Sequence, residues 1–204
     1  MRFDFFLSGH ILTRRGDVSL RNTERTMELP SNGKGCFMTQ VAVIMGSKSD
    51  LPALKGAFDT FKKFGVEFVP RVISAHRTPD EAASFAKEAE SKGIKVIICA
   101  AGMAAHLAGV IAAHTTLPVI GIPMASEPFK AFDALLAMVQ MPPGIPVATV
   151  TAGSAGGKNS ALLAISILAL SDPSLAEKLK AFRKEQSESV RKADASILDE
   201  IAKL

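Results

Sequence analysis

The chain has 204 residues, 48% hydrophobic and 22% charged, with a formal net charge of +4 at pH 7. That length suits one domain with at most a small appendage, and the composition excludes a disordered, collagen-like or disulfide-stapled chain. The 24 basic and 20 acidic residues are scattered, there is no Trp or Tyr to stack bases on, and no apolar run reaches about 18 residues, so neither a nucleic-acid partner nor a membrane span is expected.

Residues 1–37 differ from the rest. They include Phe3, Phe5, Phe6 and Phe37, yet hold no sustained helical or strand period. Phe5-Phe6-Leu7 is too short for a signal-peptide core, and Asp17, Glu24 and Glu28 count against a transit peptide built on Arg14, Arg15, Arg21 and Arg25. The expectation is a disordered, dispensable extension before a start at Met38, followed by a single α/β domain over 38–204. Cys36 and Cys99 are too few for a disulfide framework, and a reducing, cytoplasmic setting is expected.

From Gln40 the pattern becomes regular. Val41–Met45 is a short apolar run stopped by Gly46, a buried strand. Ser49-Asp50 is expected to cap a helix that runs through Phe64 and ends at Gly65. Residues 66–73 form the second strand. Thr78-Pro79-Asp80-Glu81 is a helix start, with Thr78 as N-cap, Pro79 first and Glu81 closing a capping box; that helix is expected to end at Gly93. Residues 96–100 make the third strand, Gly102 a turn and 104–113 a small-residue helix. A strand over 118–122, a helix over 132–141, a strand over 146–151 and a helix over 158–170 follow. Asp172-Pro173 then opens a helix free of Gly and Pro to Leu204. On it Leu179, Phe182, Val190, Ile197, Ile201 and Leu204 recur near helical spacing.

Apolar strands alternating with helices predict parallel pairing with helices on both faces, a three-layer, doubly wound α/β sheet. Rossmann-like and flavodoxin-like strand orders both fit. Five strands suffice for the latter, which is the expectation, with the long C-terminal helix added. That helix outruns the sheet and the 161–170 segment is apolar almost all round, so packing on another subunit is expected alongside core packing.

Ligands of such sheets bind beyond the carboxyl ends of the strands. The first such loop, Gly46-Ser47-Lys48-Ser49-Asp50, offers hydroxyls and helix-start amides that suit a phosphate, though a ligand-free helix cap would read the same. The second, Ser74-Ala75-His76-Arg77-Thr78-Pro79, joins an imidazole suited to proton transfer near neutrality with a guanidinium able to grip phosphate bidentately; a solvated His-Arg pair on a turn is the plainer reading. The third, Ala101-Gly102-Met103-Ala104-Ala105-His106, lets a ring lie against backbone, with His106 a ligand contact or a subunit contact. His114 suits the end of its helix, and His10 lies in the extension. Met124–Lys130 forms the fourth loop. In the fifth, Gly153–Ser160 imitates a phosphate-binding Walker loop but has Ala152 where the first glycine belongs and Asn159 after the lysine, so it reads as a glycine-rich lid or a tight turn into a packed helix. No metal-ligand spacing occurs, and Cys99 reads as core.

Taken together, Gly46–Asp50, Ser74–Pro79, Ala104-Ala105-His106-Leu107 and Gln140–Val147 stand in the order and spacing of one family. From about Val41 to the C-terminal helix the chain resembles the class I N5-carboxyaminoimidazole ribonucleotide mutases of purine biosynthesis, the catalytic subunits of phosphoribosylaminoimidazole carboxylase. The resemblance implies a flavodoxin-like subunit in a homo-octamer. It also implies a cofactor-free transfer of a carboxylate from the exocyclic nitrogen of an imidazole ribonucleotide to ring carbon C4. By the same resemblance His76 is the general acid/base. Ser47, Asp50 and Arg77 bind substrate, Ser49, Ser74 and Ala75 are neighbouring contacts to the ribose phosphate, and Gly102 and His106 belong to the same substrate site. Met103 stands where bacterial relatives commonly have glycine, and Ala108 where they have proline. The alternatives are a class II carboxylase, whose second loop typically carries lysine after the histidine where this chain has Arg77, and a non-catalytic nucleotide-phosphate sensor.

Overall fold

The computed structural model describes residues 39–202; the expectations placed on residues 1–37, with His10 and Cys36, lie outside it. Five strands, β1 (Val41–Met45), β2 (Phe68–Val72), β3 (Val96–Gly102), β4 (Val119–Met124) and β5 (Ala148–Thr149), form one parallel sheet in the order β2-β1-β3-β4-β5. This is the flavodoxin-like order, with its switch point between β1 and β3. The helices are α1 (Leu51–Phe64), α2 (Pro79–Glu88), α3 (Leu107–Ala112), α4 (Phe132–Val139), α5 (Gly153–Leu168) and α6 (Pro173–Ile201).

Strand side chains alternate between two apolar layers, which is why the central strands are apolar throughout. Val41, Val43, Met45, Val96, Ile98, Ile120 and Ile122 pack with Leu54, Phe61 and Phe64 of α1, Ala161 and Ile165 of α5 and Leu175 of α6. On the opposite face, Gly121 leaves room for Met138 of α4 and Ala108 of α3, whose nearest atoms lie 3.0 and 3.5 Å from where a Cβ would stand. Ile44, Ile97, Ile98, Ile120 and Ile122 are fully buried, each contributing about 1.5–3 kcal/mol.

Several boundaries differ from expectation for identifiable reasons. β2 is shorter because the Val66 N–H turns back to the Phe61 carbonyl at 3.0 Å, completing the α1 terminus with left-handed Gly65 (φ 72°). Pro70 sits in β2 because that strand is at the sheet edge. Gly102 stays in β3, and the turn falls on Met103. β5 shrinks to two residues, paired with Ile120 and Gly121. The 153–160 run is no lid: α5 starts at Gly153 rather than near Lys158. A Cβ on Gly156 would collide with the Thr151 carbonyl oxygen, and one on Gly157 with that of Ala53. These glycines let α5 close onto its own loop and onto α1.

The Asp172 carboxylate caps α6, accepting from the Ser174 and Leu175 N–H groups at 2.9 and 3.2 Å. Leu179 and Phe182 pack against the core, and Phe182 meets Phe64 edge-on at 5.8 Å. Farther along, Val190, Ile197 and Ile201 are exposed, so the apolar stripe continues past the sheet as its length predicted. Among the described residues no helix is long and apolar enough to cross a membrane.

Candidate active site

β1, β2, β3 and β4 end at one rim of the sheet, and the loops that follow them enclose a cavity of about 480 Å³. Its wall includes all nine residues that the resemblance assigns to the site: Ser47, Ser49 and Asp50 after β1, Ser74, Ala75, His76 and Arg77 after β2, Gly102 at the end of β3 and His106 in the loop that follows. A larger cavity of about 940 Å³ opens near the amino ends of the strands, with His114, Lys87 and Glu90 in its wall. The smaller one lies at the topological switch point and gathers the convergent polar groups, which makes it the candidate site.

After β1 a single 3-10 turn, Lys48–Asp50, precedes α1. Capping falls to Ser47 rather than to Ser49-Asp50. The Ser47 hydroxyl accepts from the Ser49 N–H at 3.3 Å and from the Ser49 hydroxyl at 2.8 Å, while the Asp50 carboxylate accepts from the Ser47 N–H at 3.1 Å. Half-burial pushes the Asp50 carboxyl above its ordinary value, against the pull of the Ser47 N–H and the Ser49 side chain.

The second loop is closed on itself. The Thr78 hydroxyl accepts from the Ser74 N–H at 3.0 Å and donates to the Ser74 carbonyl at 3.1 Å, so it does not cap α2. The expected capping box is also absent from the other side: Glu81 pairs with Arg71 at 2.8 Å. Here a turn and an ion pair outcompete the cap. The Ser74 hydroxyl accepts from the Arg77 N–H at 3.2 Å, and Arg77 Nη2 donates to the Gly46 carbonyl at 3.1 Å. Arg77 therefore ties the second loop to the first at the wall of the cavity.

The third loop brings the second imidazole. His76 Nε2 and His106 Nδ1 lie 2.9 Å apart with the rings edge-on, 88° between their planes. Such a bond holds one hydrogen, so one ring donates and the other accepts, and the choice fixes the tautomer of each. Gly102 is needed for close approach, since a Cβ there would lie 3.1 Å from the Met124 carbonyl oxygen.

These features coincide with the span matched by the family model for AIR carboxylase, residues 40–189. The chain belongs to the AIR carboxylase family. Two relatives in this family are the N5-carboxyaminoimidazole ribonucleotide mutases of Vibrio parahaemolyticus, 51% identical over 74% of this chain and 94% of the relative, and of Brucella melitensis, 53% identical over 74% and 93%. The crystal structure of Treponema denticola PurE matches with a TM-score of 0.70 at 30% identity, covering 77% of this chain and 97% of that one.

Other residues noted in the sequence take different places in this AIR carboxylase family member. Lys158 stands over the Phe182 ring, 5.7 Å from its centre, and serves packing between α5 and α6. Cys99 is buried in β3, and burial pushes its thiol well up. Among the described residues no cluster of three or more His, Cys, Asp or Glu is arranged to hold a metal ion. Ser126 was not singled out, yet it lines the cavity and its hydroxyl oxygen is buried without a hydrogen-bond partner. Its place just beyond β4, at the same rim as the other loops, was the available signal.

Proposed function

We propose that this chain isomerises N5-carboxyaminoimidazole ribonucleotide to 4-carboxy-5-aminoimidazole ribonucleotide in purine biosynthesis, without a cofactor. One observation carries the reading: two hydrogen-bonded imidazoles share a cavity with the Arg77 guanidinium and the Ser47–Asp50 turn, in a chain about half identical to relatives named for that mutase.

In this reading Arg77 and the hydroxyls of Ser47, Ser49 and Ser74 bind the ribose phosphate, Ala75 and Gly102 lie against the nucleotide, and Asp50 orients the ribose or ring amine. The carbamate N–C bond breaks, carbon dioxide leaves, and His76 gives its proton to the departing nitrogen. C4 of the electron-rich ring attacks the carbon dioxide held in the pocket, and His76 recovers a proton from C4. The cycle ends with the histidine as it began, so one imidazole serves both steps. His106 holds one nitrogen of His76 and so orients the other toward the ligand. Confinement keeps the carbon dioxide beside C4 in place of a carrier.

The active form is a cytoplasmic homo-octamer. Exposed Phe129, Phe132, Leu136 and Val139 around α4 support assembly, because an uncovered apolar patch of that kind marks an interface. A chain beginning at Met38 keeps its fold and turnover, since the family match begins only at residue 40; loss of either would refute that part.

The test is purified protein with the carbamate nucleotide carrying a 13C carboxyl, followed by NMR without ATP or added metal. Appearance of label on the C4 carboxylate supports the mutase. Product formed only from the amine plus carbon dioxide would establish the class II carboxylase instead, and binding without conversion a sensor.

A further inference from the structure

Met103 is the residue at the cavity that local backbone chemistry least favours. Its φ is 56°, in the left-handed region, which suits glycine and is costly for a residue with a Cβ. The neighbouring positions on the same loop, Ala101, Gly102, Ala104 and Ala105, carry at most a methyl group. Met103 alone there bears a long side chain. It lines the cavity together with His76 and His106, and it is 64% exposed, standing at the mouth rather than packed in the wall.

Carbon dioxide has no charge and donates no hydrogen bond, so the polar groups that hold the nucleotide have little grip on it. Its retention depends on shape and on closure by apolar groups. Ala101, Ala104, Leu107, Met124 and Ala125 supply part of such a wall. A thioether with three rotatable bonds suits the remaining task, because it can swing aside for the nucleotide and fold back over it.

We infer that Met103 is the mobile cover that keeps carbon dioxide beside C4 between the two half-reactions. The inference rests on the mutase reading above. Its content is a partition. After the N–C bond breaks, carbon dioxide is either captured at C4, giving the carboxylated product, or lost to solvent, leaving the amine ribonucleotide. Met103 biases that partition toward capture and is a positioning residue, since the proton transfers belong to His76.

The experiment compares the full-length chain with Met103→Gly and Met103→Leu. Glycine removes the side chain and suits the left-handed backbone, so it is compatible with the fold. Leucine keeps an apolar cover of similar volume. Each protein receives 13C-carbamate nucleotide in unlabelled bicarbonate buffer, and the readouts are amine released per substrate consumed and the 13C content of the C4 carboxylate. Met103→Gly is expected to raise the escaping fraction by about tenfold, the scale of losing an apolar contact in a pocket, with Met103→Leu restoring most of the capture. Equal partition in the parent and the glycine variant would overturn the role of Met103, as would complete loss of substrate consumption in both variants. A parent protein that forms no C4 carboxylate would instead overturn the mutase reading beneath it.

Discussion

Replacing Arg77 tests the phosphate end of the site. In the structure its Nη2 donates to the Gly46 carbonyl at 3.1 Å and its Nε approaches the Ser74 hydroxyl at 3.4 Å. Both partners are neutral and the side chain is exposed, so Arg77→Ala costs the fold no more than about 1–2 kcal/mol. Against a phosphate the account differs. Charge-assisted hydrogen bonds contribute about 1.5–3 kcal/mol each, and losing a grip of about 3 kcal/mol is roughly a hundredfold in binding. Arg77→Ala should therefore raise KM by roughly a hundredfold while kcat falls far less, the pattern of lost uniform binding. Arg77→Lys keeps the charge, but a single ammonium is too compact to reproduce the fork, and a rise of roughly tenfold is expected. Steady-state kinetics on the carbamate nucleotide, with inorganic phosphate as competitor, reads both effects. An unchanged KM in Arg77→Ala, or unchanged competition by phosphate, would refute the reasoning.

Asp50→Asn should raise the melting temperature near neutral pH, because the folded state holds this carboxylate at a desolvation cost that the amide avoids. A carboxyl whose folded pKa lies above its unfolded one stabilises the fold only while protonated, and that contribution is lost as pH rises through the folded value; the difference between variant and parent should therefore vanish in acid. Thermal unfolding from about pH 3 to pH 7 checks the sign. Gly156→Ala places a methyl group on the Thr151 carbonyl oxygen and 2.9 Å from Ile122 Cγ2, and a loss of about 3 kcal/mol is expected in denaturant unfolding. A midpoint equal to that of the parent would mean that α5 packs differently.

The central strands were legible because burial on both faces forces unbroken apolar runs: Val41–Met45 was read to the residue. Edge elements were not. β2 and β5 each pair on one side only, and at β2 the turn of the Val66 N–H back to the Phe61 carbonyl sets the start. The α5 start was hidden because glycine reads locally as a loop, whereas Gly156 and Gly157 are there for close packing. Thr78 and Glu81 fitted a capping box by spacing, but their partners Ser74 and Arg71 come from β2 and the loop after it, which helix spacing does not reveal. At the site, chain order and the rule that ligands sit at strand carboxyl ends sufficed to gather the loops. The bond between His76 and His106, 30 residues apart, required the fold to bring β2 and β3 ends together.

The most direct test of the account is the pair of measurements that separate binding from chemistry in His76→Asn. Calorimetric titration with the nucleotide should give an affinity near that of the parent, since the phosphate partners are untouched, while formation of the C4 carboxylate stops. Turnover at a rate close to that of the parent would remove the imidazole from the proton transfers and contradict the central claim.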